Sequence, residues 1–217
     1  MNWEKLKEKL INSEYHYFHT DNGVLLCGDC LEVMREIPEA DLCLTSPPFI
    51  DNEVSEEYYT WLGKWLEVVK QKVKVLLMFN SSLRLTEIAR RWNWRFVLIW
   101  YKPFTLTAYK YEPIFLWTED PTQKIWGQGR IYRTVLSHNI PKIKAHINEN
   151  PVELYEELLK FFQESKVILD PFIGSGTTAV ACERLNRKWV GIEISEKYCE
   201  IAQERILKRD RRQLTLD

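Results

Sequence analysis

The sequence lacks any apolar run of the roughly 18 residues needed to cross a bilayer, and its N-terminus lacks the apolar segment of a secretory signal. A cytoplasmic protein with no membrane partner is therefore expected. A disulfide framework is missing as well. The five cysteines, Cys27, Cys30, Cys43, Cys182 and Cys199, are odd in number and scattered through apolar segments, the pattern of reduced core thiols. Internal repeats, low-complexity tracts and Gly/Ser linkers are also absent, so the organisation must be read from alternating elements. With 217 residues and 45% apolar character, the chain can bury one substantial core, which suits a single domain over 1–217.

Net charge is scarce too, at −1, but it is unevenly placed. From Arg84 to His146 there are eleven Lys/Arg against four Asp/Glu, an excess of +7 that leaves −8 for the rest. A basic middle in an acidic chain suits a polyanion such as nucleic acid, because each neutralised phosphate releases counterions. A solvated face is the alternative. Cys27 and Cys30 form a CxxC with His16 and His19 shortly before it. A zinc site is conceivable there, but Cys27 ends an apolar strand and Cys30 opens a helix, which favours core packing and no metal.

Seven short apolar segments read as strands: Val24 to Cys27, Ala40 to Thr45, Lys74 to Phe79, Phe96 to Trp100, Pro113 to Trp117, Lys166 to Leu169 and Lys188 to Ile192. Helical spacing appears over Cys30 to Glu36, Glu56 to Lys72, Leu83 to Trp92, Pro151 to Gln163, Thr177 to Leu185 and Ser195 to about Lys208. Strands alternating with helices imply a mostly parallel seven-stranded α/β sheet with helices on both faces. The segment 118–146, broken by Pro121, Gly127, Gly129 and Pro141, reads as an irregular surface insertion.

Val167 to Thr178 is a strand, a Gly-rich turn at Gly174, Ser175 and Gly176, and a helix start. Such a turn lets a ligand approach the backbone and meet unpaired helix N–H groups. Glu193 ends the next strand, where a carboxylate can accept hydrogen bonds from both ribose hydroxyls of a nucleoside. An ordinary βα turn is the alternative for a lone GxG; the flanking elements and the spaced acid favour a ligand. The three-glycine cradle for a pyrophosphate is missing, so a nucleoside cofactor is favoured.

Ser46, Pro47, Pro48 and Phe49 follow the second strand. Proline fixes its own backbone angle, holds its predecessor extended and carries no N–H. The Ser46 hydroxyl and Pro47 carbonyl can accept both hydrogens of an amino group while Phe49 offers a face for stacking. An aromatic amine is a poor nucleophile because its lone pair is delocalised. Two acceptors would localise that pair and aim it at an electrophilic methyl, in a direct in-line transfer without a covalent enzyme intermediate. A strand leaving through a Pro-Pro turn is the plain structural alternative.

Taken together, Thr45-Ser46-Pro47-Pro48-Phe49 followed by Asp170-Pro171-Phe172-Ile173-Gly174-Ser175-Gly176-Thr177-Thr178 resembles the amino-methyltransferases of DNA, in the permuted group whose catalytic motif precedes the cofactor motif. The resemblance implies a Rossmann-like, doubly wound fold and S-adenosyl-L-methionine as cofactor. It implies cofactor contacts from Asp29, Thr45, Asn150, Pro151, Asp170, Phe172, Gly174, Ser175, Gly176, Thr177, Thr178 and Glu193, with Asp29 holding the adenine. Trp100 to Pro103 and Tyr111 to Ile114 look like sheet motifs lining a base pocket. The family usually has Lys where this chain has Asn150, and its target-recognition region is longer than 118–146. Lys102, Lys124, Arg130, Arg133, His138, Lys142 and Lys144 are the expected DNA contacts.

By the same resemblance, a Ser opening the Pro-Pro motif favours N4 of cytosine over N6 of adenine, on a base flipped out of a short site in double-stranded DNA. A homodimer, or a companion specificity or restriction subunit, fits the short recognition segment. Methylation of RNA or a protein amide is a rival, and a non-catalytic nucleic-acid-binding protein on the same fold is another.

Overall fold

The structure, a computed structural model, describes residues 2–48, 55–105, 110–120, 134–141 and 149–213. Among them, nine strands form one sheet: β1 (His16–His19), β2 (Gly23–Cys27), β3 (Ala40–Thr45), β4 (Val73–Phe79), β5 (Phe96–Tyr101), β6 (Tyr111–Thr118), β7 (Val135–Ser137), β8 (Val167–Asp170) and β9 (Lys188–Glu193). The order across the sheet is β1-β2-β9-β8-β3-β4-β6-β5-β7. Strands β2, β9, β8, β3 and β4 are mutually parallel, and β6 runs antiparallel between β4 and β5.

Side chains alternate across a strand, so each central strand feeds two cores. Leu25, Leu42, Leu44 and Ile168 join α5 (Val152–Phe161), α6 (Thr177–Arg184) and α7 (Glu196–Gln213) on one face. Val24, Leu26, Cys43 and Leu169 join α1 (Trp3–Ile11), α2 (Cys30–Val33), α3 (Glu56–Lys70) and α4 (Leu85–Arg91) on the other. Burial on both faces explains why these strands read as continuous apolar runs. Local chemistry sets the helix starts: the Ser55 hydroxyl accepts from the Tyr58 amide at 3.2 Å, and Asp29 accepts from the Leu31 and Glu32 amides at 2.8 and 3.2 Å.

The sheet has nine strands among the described residues, where the sequence pattern predicts seven. The two additions, β1 and β7, lie at its opposite edges. Both are short and half-exposed, so neither carries the apolar run by which buried strands are recognised. Strand β7 also means that the segment 118–146 is not wholly irregular. Helix α1 was readable in principle, since Trp3, Leu6 and Leu10 share one buried face at helical spacing.

Close packing at β2 yields a stability prediction. A Cβ on Gly23 would lie 1.8 Å from Cε2 of Trp189, whose indole is buried and bonded to Glu183 at 2.8 Å. Gly23→Ala is expected to destabilise the fold by about 1–3 kcal/mol through overpacking, read from the urea unfolding midpoint. An unchanged midpoint would show that the indole can move aside.

The chain leaves β3 for β4 in one direction and leaves β8 for β9 in the other, while β3 and β8 lie side by side. This reversal of strand order opens a crevice at the C-terminal strand ends, where doubly wound sheets bind ligands. The Ser46 segment and Asp170 both emerge there.

Candidate functional site

Two adjoining cavities occupy that crevice and share Ser46, Pro48, Phe172 and Gly174. The larger, about 400 Å³, lies over the ends of β2 and β9 and is lined by Asp29, Trp61, Phe172, Glu193, Ile194 and Tyr198, among others. The smaller, about 110 Å³, lies over β8 and is lined by Glu149, Asn150, Tyr155, Asp170, Ser175 and Thr177. Ser46 stands at the junction, so the cavities form one elongated cleft with the catalytic candidate in its middle.

The walls follow from the sequence around them. Gly174 and Gly176 have φ values of +51° and +85°, the left-handed region that lets the turn curl back beneath the cleft. The Gly174 amide donates to Glu193 Oε2 at 3.0 Å and the Ser195 amide to Oε1 at 2.9 Å. Glu193 is thereby held at the mouth of β9, with each oxygen keeping acceptor capacity toward the cavity. Ile194, 71% exposed, follows it, and Phe172 packs on Trp61 and Trp65 with ring centroids 5.8 and 5.3 Å away. The larger cavity thus pairs an apolar body with a carboxylate end.

Asp170 is the buried hub. Its Oδ1 accepts from the Thr45 hydroxyl at 2.6 Å and the Phe172 amide at 3.1 Å, while Oδ2 accepts from the Thr178 hydroxyl. Burial pushes its carboxyl up to about 6, against the pull of these hydrogen bonds. Thr45 and Thr178 are buried and turned toward Asp170, so both shape the cleft and neither lines the larger cavity. Asn150, also buried, donates to the Tyr155 hydroxyl at 3.1 Å, and Pro151 occupies the cap position of α5.

Four carboxyl groups border the cleft: Asp29, Glu149, Asp170 and Glu193. Among the described residues no lysine, arginine or histidine lines either cavity. Such a site repels a pyrophosphate and favours a neutral or cationic ligand.

The structure brings together Asp29, Ser46, Pro47, Pro48, Asn150, Asp170, Phe172, Gly174, Ser175, Thr177, Thr178 and Glu193 as cavity lining. Phe49, Lys124, Arg130, Arg133, Lys142 and Lys144 lie outside the described residues. Two expected DNA contacts, Lys102 and His138, have partners within the fold. Lys102 is buried, ion-paired with Glu112 and set 4.4 Å from the Trp100 ring centre, so its ammonium is engaged within the sheet. His138 is half-buried, with Nε2 2.6 Å from Glu157 and its carbonyl accepting from the Trp100 indole at 2.8 Å. Sequence reading missed Glu149, Tyr155, Ile194 and Tyr198. An exposed Ile directly after the strand-ending Glu193 was the one available signal.

Cys30 is buried beneath the larger cavity, and desolvation with Asp29 nearby pushes its thiol up to about 12. His16 and His19 sit on edge strand β1, with Nε2 of one 3.0 Å from Nδ1 of the other. Among the described residues, no three His, Cys, Asp or Glu converge as a metal site. No described helix is long and apolar enough to cross a membrane.

Comparison with known proteins bears on this geometry. The DNA methylase family, of the N6 and N4 type, matches residues 117–204. Type II methyltransferase M.BamHI of Bacillus amyloliquefaciens is 26% identical over 253 residues, covering 90% of this chain and 59% of that protein. The chain therefore spans little more than half the length of that relative. Among solved structures, PvuII DNA methyltransferase (cytosine-N4-specific) superposes with a TM-score of 0.76 at 20% identity, covering 94% of this chain and 96% of that one. The M1.HpyAVI–SAM complex superposes with a TM-score of 0.65 at 21% identity, covering 83% and 98%. The chain has the fold of these methyltransferases, and residues 117–204 are similar to the DNA methylase family.

Proposed function

We propose that this chain is an S-adenosylmethionine-dependent DNA methyltransferase acting on the exocyclic amino group of a base, N4 of cytosine in preference to N6 of adenine. The observation that carries the reading is the single acidic cleft at the strand-order reversal, free of lining cations among the described residues, with Ser46 between its two halves. The larger half fits a nucleoside: Glu193 offers two oxygens to ribose hydroxyls, and Phe172, Trp61 and Ile194 supply apolar walls. The smaller half, bordered by Glu149, Asp170 and Asn150, fits the charged amino-acid end and the sulfonium beside it.

When bound, S-adenosylmethionine supplies the electrophilic methyl group. The Ser46 hydroxyl and Pro47 carbonyl accept the hydrogens of the target amine, concentrating its lone pair on nitrogen. Their placement on the exit of β3 is stiffened by Pro47 and Pro48 and braced by the Thr45 bond to Asp170. A base inside a duplex reaches this point only by flipping out of the stack. Phosphate contacts come from the basic segment 118–146, aided by a second copy or a companion subunit. The preference for cytosine rests on the resemblance, in which a Ser opens the Pro-Pro motif.

The deciding experiment is to incubate the protein with S-adenosylmethionine and unmodified DNA of mixed sequence, digest to nucleosides and identify methylated species by mass spectrometry. N4-methylcytosine is the expected product. N6-methyladenine would keep the chemistry and overturn the base. No methylated nucleoside, with cofactor binding demonstrated, would overturn DNA as the substrate of this chain acting alone.

A further inference from the structure

We propose that Arg205 is a positioning residue for the amino-acid end of the cofactor, acting through Glu149 and the Gly174–Gly176 turn; this rests on the cofactor reading above. Arg205 projects from α7 and lines neither cavity. Its Nη1 donates to the Ser175 carbonyl at 2.6 Å and to the Ser175 hydroxyl at 2.7 Å, with Thr177 Oγ1 at 3.4 Å. Its Nη2 donates to Glu149 Oε1 at 2.7 Å. The two side chains of this ion pair are only 18% and 7% exposed.

These contacts join the two segments that wall the smaller cavity. Glu149 and Asn150 come from the approach to α5, Ser175 from the turn before α6 and Thr177 from the first position of that helix. The segments also meet directly, through a long 3.4 Å contact from the Thr177 hydroxyl to the Asn150 carbonyl. A guanidinium offers several donors in a rigid planar fork, so one side chain can fix two backbone segments at once. The seating of α7 is a second observation in favour of this role. A Cβ on Gly176 would lie 3.0 Å from Cβ of Ala202, one helical turn before Arg205. The helix therefore presses directly on the turn, and Arg205 reaches around it to Glu149. Burying such a pair is rarely favourable for stability alone, and removing one partner strips the other of a buried counter-charge. Without Arg205, Glu149 is drawn toward water and the wall it forms with Asn150 loosens.

The nucleoside end is held by Asp29, Glu193 and Ile194, none of which Arg205 touches, so the two ends can be separated experimentally. Isothermal titration calorimetry of wild type, Arg205→Gln and Arg205→Lys with S-adenosylmethionine and with 5′-methylthioadenosine, which lacks the amino-acid group, makes the comparison. The expected result for Arg205→Gln is about tenfold weaker binding of S-adenosylmethionine and less than about twofold change for 5′-methylthioadenosine, with Arg205→Lys between. Equal losses for both ligands, or no loss for either, would overturn the positioning role. Wild type binding neither ligand would instead overturn the cofactor reading, and the proposal with it. Should Arg205→Gln fail to fold, Arg205→Lys, which keeps the charge and loses the planar fork, carries the same comparison.

Discussion

Ser46→Ala is expected to slow methyl transfer by about 100-fold or more while leaving S-adenosylmethionine affinity within about threefold. The basis is the position of Ser46, half-buried at the junction of the two cavities and directly after the buried end of β3. Its hydroxyl is one of two acceptors for the amine, and losing one pre-organised polar group at a reacting centre typically lowers turnover by roughly 10² to 10³. The scaffold should not move, because Thr45 remains bonded to Asp170 and the two prolines still fix the exit. Single-turnover rates beside calorimetric cofactor binding check this. A parallel fall in rate and cofactor affinity would make Ser46 a cofactor contact, and an unaffected rate would remove it from the chemistry.

Asp170 should give the largest effect on stability. Asp170→Ala strips acceptors from the Thr45 hydroxyl, the Thr178 hydroxyl and the Phe172 amide within a buried site, and a loss on the order of 3 kcal/mol or more is expected, together with loss of cofactor binding. Asp170→Asn keeps the shape and reports the charge. In the folded protein burial raises the carboxyl to about 6, so the native state holds this proton more tightly than the unfolded chain does. The contribution of Asp170 to stability is then fully present below about pH 4 and is lost as pH rises through about 6. The urea midpoint of wild type relative to Asp170→Asn should fall between about pH 4 and about pH 6 and level off above that. Cofactor affinity should run the other way, since only the ionised carboxylate attracts a cationic ligand. Wild-type affinity weakens below about pH 6, and Asp170→Asn flattens the profile. A wild-type affinity profile that matches Asp170→Asn across this range would show that Asp170 is not the titrating group.

Much of the fold is legible because it is encoded locally. The apolar run Ala40–Thr45 coincides with β3, and the other runs match their strands within two residues, since strands buried on both faces must be continuous apolar runs. The edges are not legible. Strands β1 and β7 add His16–His19 and Val135–Ser137 with little burial, and their pairing depends on neighbours that a sequence window does not contain. The basic excess from Arg84 to His146 includes two residues whose partners the sequence does not reveal, for a related reason. Register sets Trp100 opposite Glu112 and carries Lys102 to the Glu112 carboxylate, while His138 meets Glu157 from α5. A count of charges cannot tell an ammonium facing water from one neutralised across a strand pair.

What the sequence determined by itself was therefore the chemistry available at each strand end. The Ser46-Pro47-Pro48 exit, the Gly174-Ser175-Gly176 turn and the carboxylate of Glu193 were all readable. Proline, glycine and the strand-to-helix transition constrain the backbone within a few residues, so such features survive without long-range information. Only the tertiary structure decided how they combine. Thr45 and Asp170 meet across 125 residues, and Glu149 and Arg205 across 56. Those meetings follow from strand order, in which β3 and β8 become neighbours at the reversal and α7 returns to press on the turn before α6. Strand order is selected by the packing of two cores at once, and no local pattern carries it.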